Sequence, residues 1–317
     1  MDKEMFIQHL KKQLQERIGC EIRQETVTKN NGVKRTAFII MREDKNVHPS
    51  IYIDNFYDLF LNGENYENII NKIMEFEQKE QLNTDFNVND FMDYEKVKEN
   101  LYYRIINYHE NITMLKSMPY KKYLDLAKVY YVMVETPEIG KGTILINKEH
   151  AKIWGVTEDE IDRVARMNTE TKIQPTVKNI KEIVIKHLME LFEQAVADGE
   201  IPADLKISNI NKYMRDYPMY VVTNEQNYYG ASVLMYTGFL KAVSEVIRDD
   251  LIIFPSSVHE FIFMKSEVAF QKDYETLKEM VENVNAEVVE PEEYLSDNVY
   301  FYDRNKNELR IYNLFEG

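Results

Sequence analysis

Residues 6–41, FIQHLKKQLQERIGCEIRQETVTKNNGVKRTAFIIM, decide the fold class. Phe6, Leu10, Leu14 and Ile18 recur in steps of four with Lys and Gln between them, which puts one apolar stripe on an α-helix, and Gly19 ends it. Directly afterwards residues 21–28 alternate, Lys29-Asn30-Asn31-Gly32 offers residues that tolerate left-handed backbone, and residues 33–41 are rich in β-formers. A helix followed at once by a hairpin predicts an α+β protein with mixed or antiparallel sheets and packed helices.

Working outward, residues 50–53 read as a short strand after Pro49, with Asp54 capping a helix that runs to Asn62-Gly63. A second helix is expected over 66–81, burying Ile69, Ile70, Ile73 and Met74. Residues 83–93 are rich in Asn and Asp and read as a loop or boundary. Strands follow at 101–107, 124–134 and 143–146, with a short helix over 110–116 and a turn at Pro137, Gly140 and Gly142. The middle is helical: 148–154, then a helix through Met167 opened by Thr157 and Glu160 as a capping box. After the break at Pro175, Ile180, Ile183, Val184, His187, Leu188, Leu191, Phe192 and Ala195 share one face of a helix ended by Gly199. The last third reads β-α-β-β-α-β, an α/β-like part. It has strands at 219–223, 251–254 and 260–264, a helix over 231–248 apolar nearly all round and hence buried, a helix over 274–284, and a closing hairpin of 299–302 with 309–312. This organisation suggests regions 1–82, 83–218 and 219–317, or one compact unit.

A net charge of −15 argues against direct nucleic-acid binding and against an anionic membrane surface, both of which need exposed Lys and Arg. It permits a basic protein partner or a nucleic-acid mimic; solubility is the ordinary reading. The single cysteine, Cys20, makes an intramolecular disulfide impossible and fits the cytoplasm. It reads as a small packing residue sooner than a nucleophile. The N-terminus lacks the pattern of a signal peptide, and no apolar run is long enough to span a membrane.

Three polar junctions hold the candidate site residues. In Pro255-Ser256-Ser257-Val258-His259-Glu260, a hydroxyl, an imidazole and a carboxylate fall between two apolar runs, the residue types of nucleophile, base and orienter. Neighbours in a strand face opposite ways, however, and there is no Gly-x-Ser-x-Gly elbow, so a polar turn is the competing reading. In residues 223–232, TNEQNYYGAS, a strand leads through a polar loop into a helix start where an anion is favoured, with Asn224 and Tyr229 as candidate contacts. The glycine pattern there fits neither a P-loop nor a dinucleotide fingerprint. In Asn107-Tyr108-His109-Glu110-Asn111, Asn107 and Tyr108 either line the same cleft or cap and turn the chain. Asn31 is the fourth segment that would join them. No spacing of His, Cys, Asp or Glu specifies a metal, and no cofactor is expected.

The segments ETVTKNNGVKRTAFI (25–39), PSIYIDNFY (49–57), IINYHEN (105–111), LDLAKVYY (124–131), Tyr220 to Asn224 with Gly230-Ala231, PSSVHE (255–260) and LSDNVYFY (295–302) resemble, in order and over nearly the whole chain, those of an uncharacterised bacterial family known as a domain of unknown function. The resemblance implies a cytosolic bacterial protein and no assigned reaction. The residues therefore point to a binding or regulatory protein that takes a protein or small-molecule partner in a Tyr-lined cleft. Alternatives are a hydrolase using Ser257, His259 and Glu260, and an acidic inhibitor or nucleic-acid mimic.

Overall fold

The computed structural model describes residues 1–42, 50–81, 88–136, 140–199, 218–269 and 274–312. The chain forms two compact units, the first from residues 1–102, 110–119 and 130–164, the second from 103–109, 120–129 and 165–317.

The first unit opens with α1 (Lys3–Ile18). Asp2 caps it by accepting from the Met5 N–H at 2.8 Å, and Gly19 closes it at φ 75°. β1 (Glu21–Thr28) and β2 (Lys34–Met41) pair antiparallel from Glu21↔Met41 to Thr28↔Lys34, turning through Asn31 at φ 59°. β3 (Ser50–Tyr52) adds to β2, followed by α2 (Asp54–Leu61) and α3 (Tyr66–Gln81). Phe6, Leu10 and Leu14 meet Ile22, Phe38, Ile51, Ile69, Ile70 and Ile73 in one core. Each such aliphatic side chain contributes about 1.5–3 kcal/mol on full burial.

Asp54 does not cap α2 as expected, because Ile53 holds that position. Its buried carboxylate instead accepts from Lys3 Nζ and from the Thr36 N–H, each at 2.7 Å, tying α1 and β2 to the helix. The stretch 83–93 is partly helical. α4 (Val88–Met92) precedes α5 (Tyr94–Val97), and Phe91 packs on Trp154 of α7 (Lys148–Trp154), whose indole N–H donates to the Phe91 carbonyl at 2.8 Å. Residues 82–87 lie outside the described residues.

β4 (Leu101–Asn107) and α6 (Ile112–Leu115) come next. Gly140 and Gly142 belong to β7 (Gly140–Leu145), paired with residues 131–136 of β6 (Leu126–Thr136), while the expected turn residue Pro137 lies outside the described residues. Ahead of α8 (Glu158–Lys172), the Thr157 hydroxyl accepts from the Glu160 N–H; the Glu160 carboxylate grips Arg163, so the capping box is one-sided.

The second unit is built on a sheet of six antiparallel strands in the order β13-β12-β10-β11-β9-β8. They are β8 (Pro175–Asn179), β9 (Met219–Asn224), β10 (Leu251–Phe254), β11 (Phe261–Lys265), β12 (Tyr300–Asp303) and β13 (Glu308–Ile311). Helices α9 (Ile180–Ala197), α10 (Phe239–Ile247), α11 (Ser266–Ala269) and α12 (Tyr274–Glu287) accompany it. Ile252, Phe254, Met264, Leu277, Val281, Val299 and Phe301 form a core. A further strand, β5 (Tyr120–Tyr123), pairs with the start of β6 through a turn at Leu124, which sits at φ 54°.

Two expectations for this unit are corrected. The stretch beginning at Pro175 is a strand rather than a break. It lies at the sheet edge, and its proline stands first, where a missing N–H is tolerated. Residues 231–248 are not one buried helix. A 3-10 segment, Gly230–Met235, stops at Tyr236, and α10 restarts after Gly238 at φ 75°. The Tyr236 hydroxyl donates to the carbonyls of Thr169 and Ile173 and so anchors the break, and Val246 on α10 is 83% exposed. Finally, α9 forms as the periodicity predicts, yet no residue of it is buried; Leu191 is 49% exposed.

Among the described residues no helix is long and apolar enough to cross a membrane.

Candidate functional site

β9 runs out at Asn224, whose side chain builds the loop that follows. Its Oδ1 accepts from the Gln226 and Tyr228 N–H groups, and its Nδ2 donates to the Tyr228 carbonyl. The loop ends with Tyr229 at φ 53°, a conformation that a bulky residue adopts only when its surroundings impose it. What imposes it is Gly230, pressed against β9 and the 255–259 turn: a Cβ there would stand 2.1 Å from Thr223 Oγ1, 2.4 Å from the His259 carbonyl and 2.8 Å from the Asn224 nitrogen. The Thr223 hydroxyl donates to that same carbonyl at 2.8 Å.

The 255–259 turn is itself pinned by residues 293–296, since Val258 N–H donates to the Glu293 carbonyl and Ser296 N–H to that of Pro255. This places the Glu293 carboxylate 3.4 Å from His259 Nε2. His259 Nδ1 accepts from the Tyr229 N–H at 3.2 Å, so the imidazole carries its proton on Nε2 and directs it at Glu293. The Tyr229 ring stacks on the imidazole at 5.7 Å and 7°. Arg104 from β4 lies 4.4 Å over that ring and donates to its hydroxyl, which also accepts from Tyr228 at 2.7 Å.

Ser257, His259 and Glu260 do not come together as nucleophile, base and orienter. The Ser257 hydroxyl accepts from the His259 backbone N–H, and both ring nitrogens are engaged elsewhere. Glu260 is exposed by area, its carboxyl pushed up by desolvation, and it is not a partner of the imidazole. Burial lowers His259 from its usual 6.5; Glu293 opposes this shift and the charge on Arg104 adds to it.

A folded state that resists protonation loses stability as pH falls below about 6.5, while the contribution stands in full above it. His150 shifts the same way through burial. His259→Asn, which retains a group able to accept from Tyr229, is therefore expected to flatten part of the loss in urea midpoint between about pH 7 and about pH 5. An unchanged slope would show that this imidazole does not titrate differently on folding.

The other expected residues fall in separate places. Asn107 donates to the Leu295 carbonyl at 2.9 Å, and the Tyr108 N–H donates to the Asp125 carbonyl. Asn31, in the first unit, exchanges two 2.8 Å hydrogen bonds with Asn111. Asn224 and Tyr229 alone join His259.

The sequence reading missed a cavity of about 360 Å³ in the second unit. The residues lining it include Lys121, Lys122, Lys128, Arg166 and Lys241, together with Tyr123, Tyr236 and Tyr302; Lys121 and Lys122 are strand neighbours, so their side chains leave opposite faces of β5. The β5–β6 hairpin sets Lys121 directly opposite Lys128, a like-charge pair that by itself disfavours the strand pairing. Lys122 rests 4.0 Å over the Tyr108 ring and Lys128 5.1 Å over that of Tyr103. None of the ion pairs among the described residues involves Lys122, Arg166 or Lys241. Thr237, Gly238, Leu240 and Lys241 bring the start of α10 to the same cavity, with Gly238 at its N-cap and no side-chain cap. The available signal was the run Tyr-Lys-Lys-Tyr at 120–123 followed by Lys128, legible once that stretch is drawn as a hairpin.

Among the described residues no group of three or more His, Cys, Asp or Glu stands where it would hold a metal ion. The model of DUF5688, a family of unknown function, matches residues 3–304. No curated protein and no solved structure matches the chain.

Proposed function

The chain belongs to the DUF5688 family, whose function is unknown, and from its site we propose that it is a non-catalytic binding protein for a small anionic molecule, held in the lysine- and tyrosine-lined cavity of the second unit. The observation that carries this reading is that five cationic residues are among those lining one cavity in a chain of net charge −15. A concave wall that gathers cationic residues focuses their field on a ligand. The cavity, about 360 Å³, falls in the range of small-molecule sites, which run from about 300 to 1,000 Å³. Leu234, Leu240 and Leu309 supply apolar contact beside the cationic residues, the usual composition of such sites. The engagement of both His259 nitrogens within the fold supports binding over turnover.

The test is thermal unfolding of the full chain against a panel of phosphates and polycarboxylates. A ligand at about a hundred times its Kd contributes roughly 2.7 kcal/mol, which raises the midpoint by about 5 °C or more. At least one anion is expected to do so, and the shift is expected to vanish in Lys121→Gln/Lys241→Gln. A panel without effect at millimolar concentration, or a shift that survives the double substitution, would overturn the reading.

A further inference from the structure

We infer that the anion is a phosphate ester or anhydride carrying a flat ring, a ligand of the nucleotide class; the inference rests on the binding reading above and specifies its ligand. Lys121 and Lys128 stand opposite each other on paired strands, and Arg166 of α8 and Lys241 of α10 face the same cavity. Four cationic residues around about 360 Å³ offer more hydrogen-bond donors than one carboxylate would use and suit a chain of phosphates.

The backbone supports the same assignment. α10 starts at Phe239 with a glycine at its N-cap, so no side chain occupies the space before its first turn. Leu240 and Lys241, whose N–H groups fall in the turn that lacks intrahelical acceptors, both line the cavity.

The remaining wall is suited to a ring. Tyr302 and Leu309 are direct cross-strand neighbours on β12 and β13. Tyr123 lies within electrostatic reach of Tyr302, and burial raises its hydroxyl above the usual range. Tyr123 is nevertheless 41% exposed, so a face of the ring remains open to a stacking partner. The Tyr302 hydroxyl donates to Asn307 Oδ1 at 2.6 Å, which holds that side chain in place before any ligand arrives. A cationic wall with an aromatic one is the pairing that recognises phosphate and base together.

The experiment is calorimetric titration of the full chain with adenosine triphosphate, inorganic tripolyphosphate and citrate, all without metal. Adenosine triphosphate is expected to bind about tenfold more tightly than tripolyphosphate, and citrate more weakly than either. Arg166→Gln/Lys241→Gln is expected to weaken both phosphates about tenfold or more. Tyr123→Leu, at a rim position, is expected to weaken the nucleotide by about fivefold and leave tripolyphosphate unchanged, in line with the loss of one stacking contact. Equal affinity for nucleotide and tripolyphosphate, with no effect of Tyr123→Leu, would overturn the ring assignment. Binding of citrate in preference to both phosphates would overturn the phosphate assignment while leaving the binding reading intact. No heat with any of the three would overturn both.

Discussion

Alanine at position 230 is expected to destabilise the second unit by about 3 kcal/mol or more, lowering the thermal midpoint by roughly 6–12 °C. The methyl group would meet Thr223 Oγ1, the His259 carbonyl and the Asn224 nitrogen, all closer than 3 Å. Two of these three atoms are backbone, and neither is free to retreat. Asn224 lies at the end of β9, and the His259 carbonyl is held by the Thr223 hydroxyl within a turn bonded to residues 293–296. Thr223→Ala in the Gly230→Ala background separates the contributions. It removes the only side-chain obstacle, so little stability should return. Full recovery in the double variant would show that the hydroxyl, and not the meeting of two backbones, is what requires glycine.

Removing the carboxylate of Asp125 is the second large effect. Asp125 is 7% exposed, and Ser296, Asn298 and Tyr300 donate to it at 2.5, 2.9 and 2.5 Å. It ties the β5–β6 turn to the segment leading into β12. The Tyr300 hydroxyl is held well above its usual pKa by burial first and by this carboxylate next, so it remains a donor at any working pH. Hydrogen bonds to a charged acceptor contribute about 1.5–3 kcal/mol each, and a buried donor left unpaired costs about 1–3 kcal/mol. Asp125→Ala is therefore expected to cost about 3–5 kcal/mol, against about 1–2 kcal/mol for Tyr300→Phe, which removes a single donor. Urea midpoints at constant m-value check the order. A loss for Asp125→Ala no larger than that for Tyr300→Phe would show that the three donors do not act through the carboxylate.

These two residues mark where the sequence was opaque. Gly230 lies in a segment whose near-continuous apolar character reads as a buried helix, and the 3-10 stretch really is buried, so hydropathy does not distinguish it from an α-helix. The break after it depends on Tyr236 reaching the carbonyls of Thr169 and Ile173, a contact spanning more than sixty residues. Helices α1, α3 and α7 and the hairpin of β1 and β2 were legible because their determinants are local: period, cap and turn residues. β8 and β5 were not. Pro175-Thr176-Val177-Lys178-Asn179 is short and begins with proline, and Tyr120-Lys121-Lys122-Tyr123 carries no apolar alternation, because part of its surface lines the cavity instead of a core.

The junctions at 224–230 and 255–260 could be found from their polar residues. Arg104 and Glu293, which complete the cluster around Tyr229 and His259, come from distant strands and turns and leave no mark on the local pattern. The cavity was hidden for another reason. Its cations come from three stretches of chain, and a net charge of −15 averages over the basic concentration they make when folded. Net charge disfavours polyanions for the molecule as a whole, but it does not describe the local field inside a cavity lined by cationic residues.

Whether an anion occupies this cavity can be read by lysine footprinting. The full chain would be acetylated at single-hit level with and without saturating adenosine triphosphate, and each lysine's rate read by mass spectrometry. Lys121, Lys122, Lys128 and Lys241 are expected to be protected together, while lysines outside the cavity such as Lys11, Lys152 and Lys306 keep their rates. Unchanged rates at the four cavity lysines, or equal protection at all seven, would contradict occupancy by an anion.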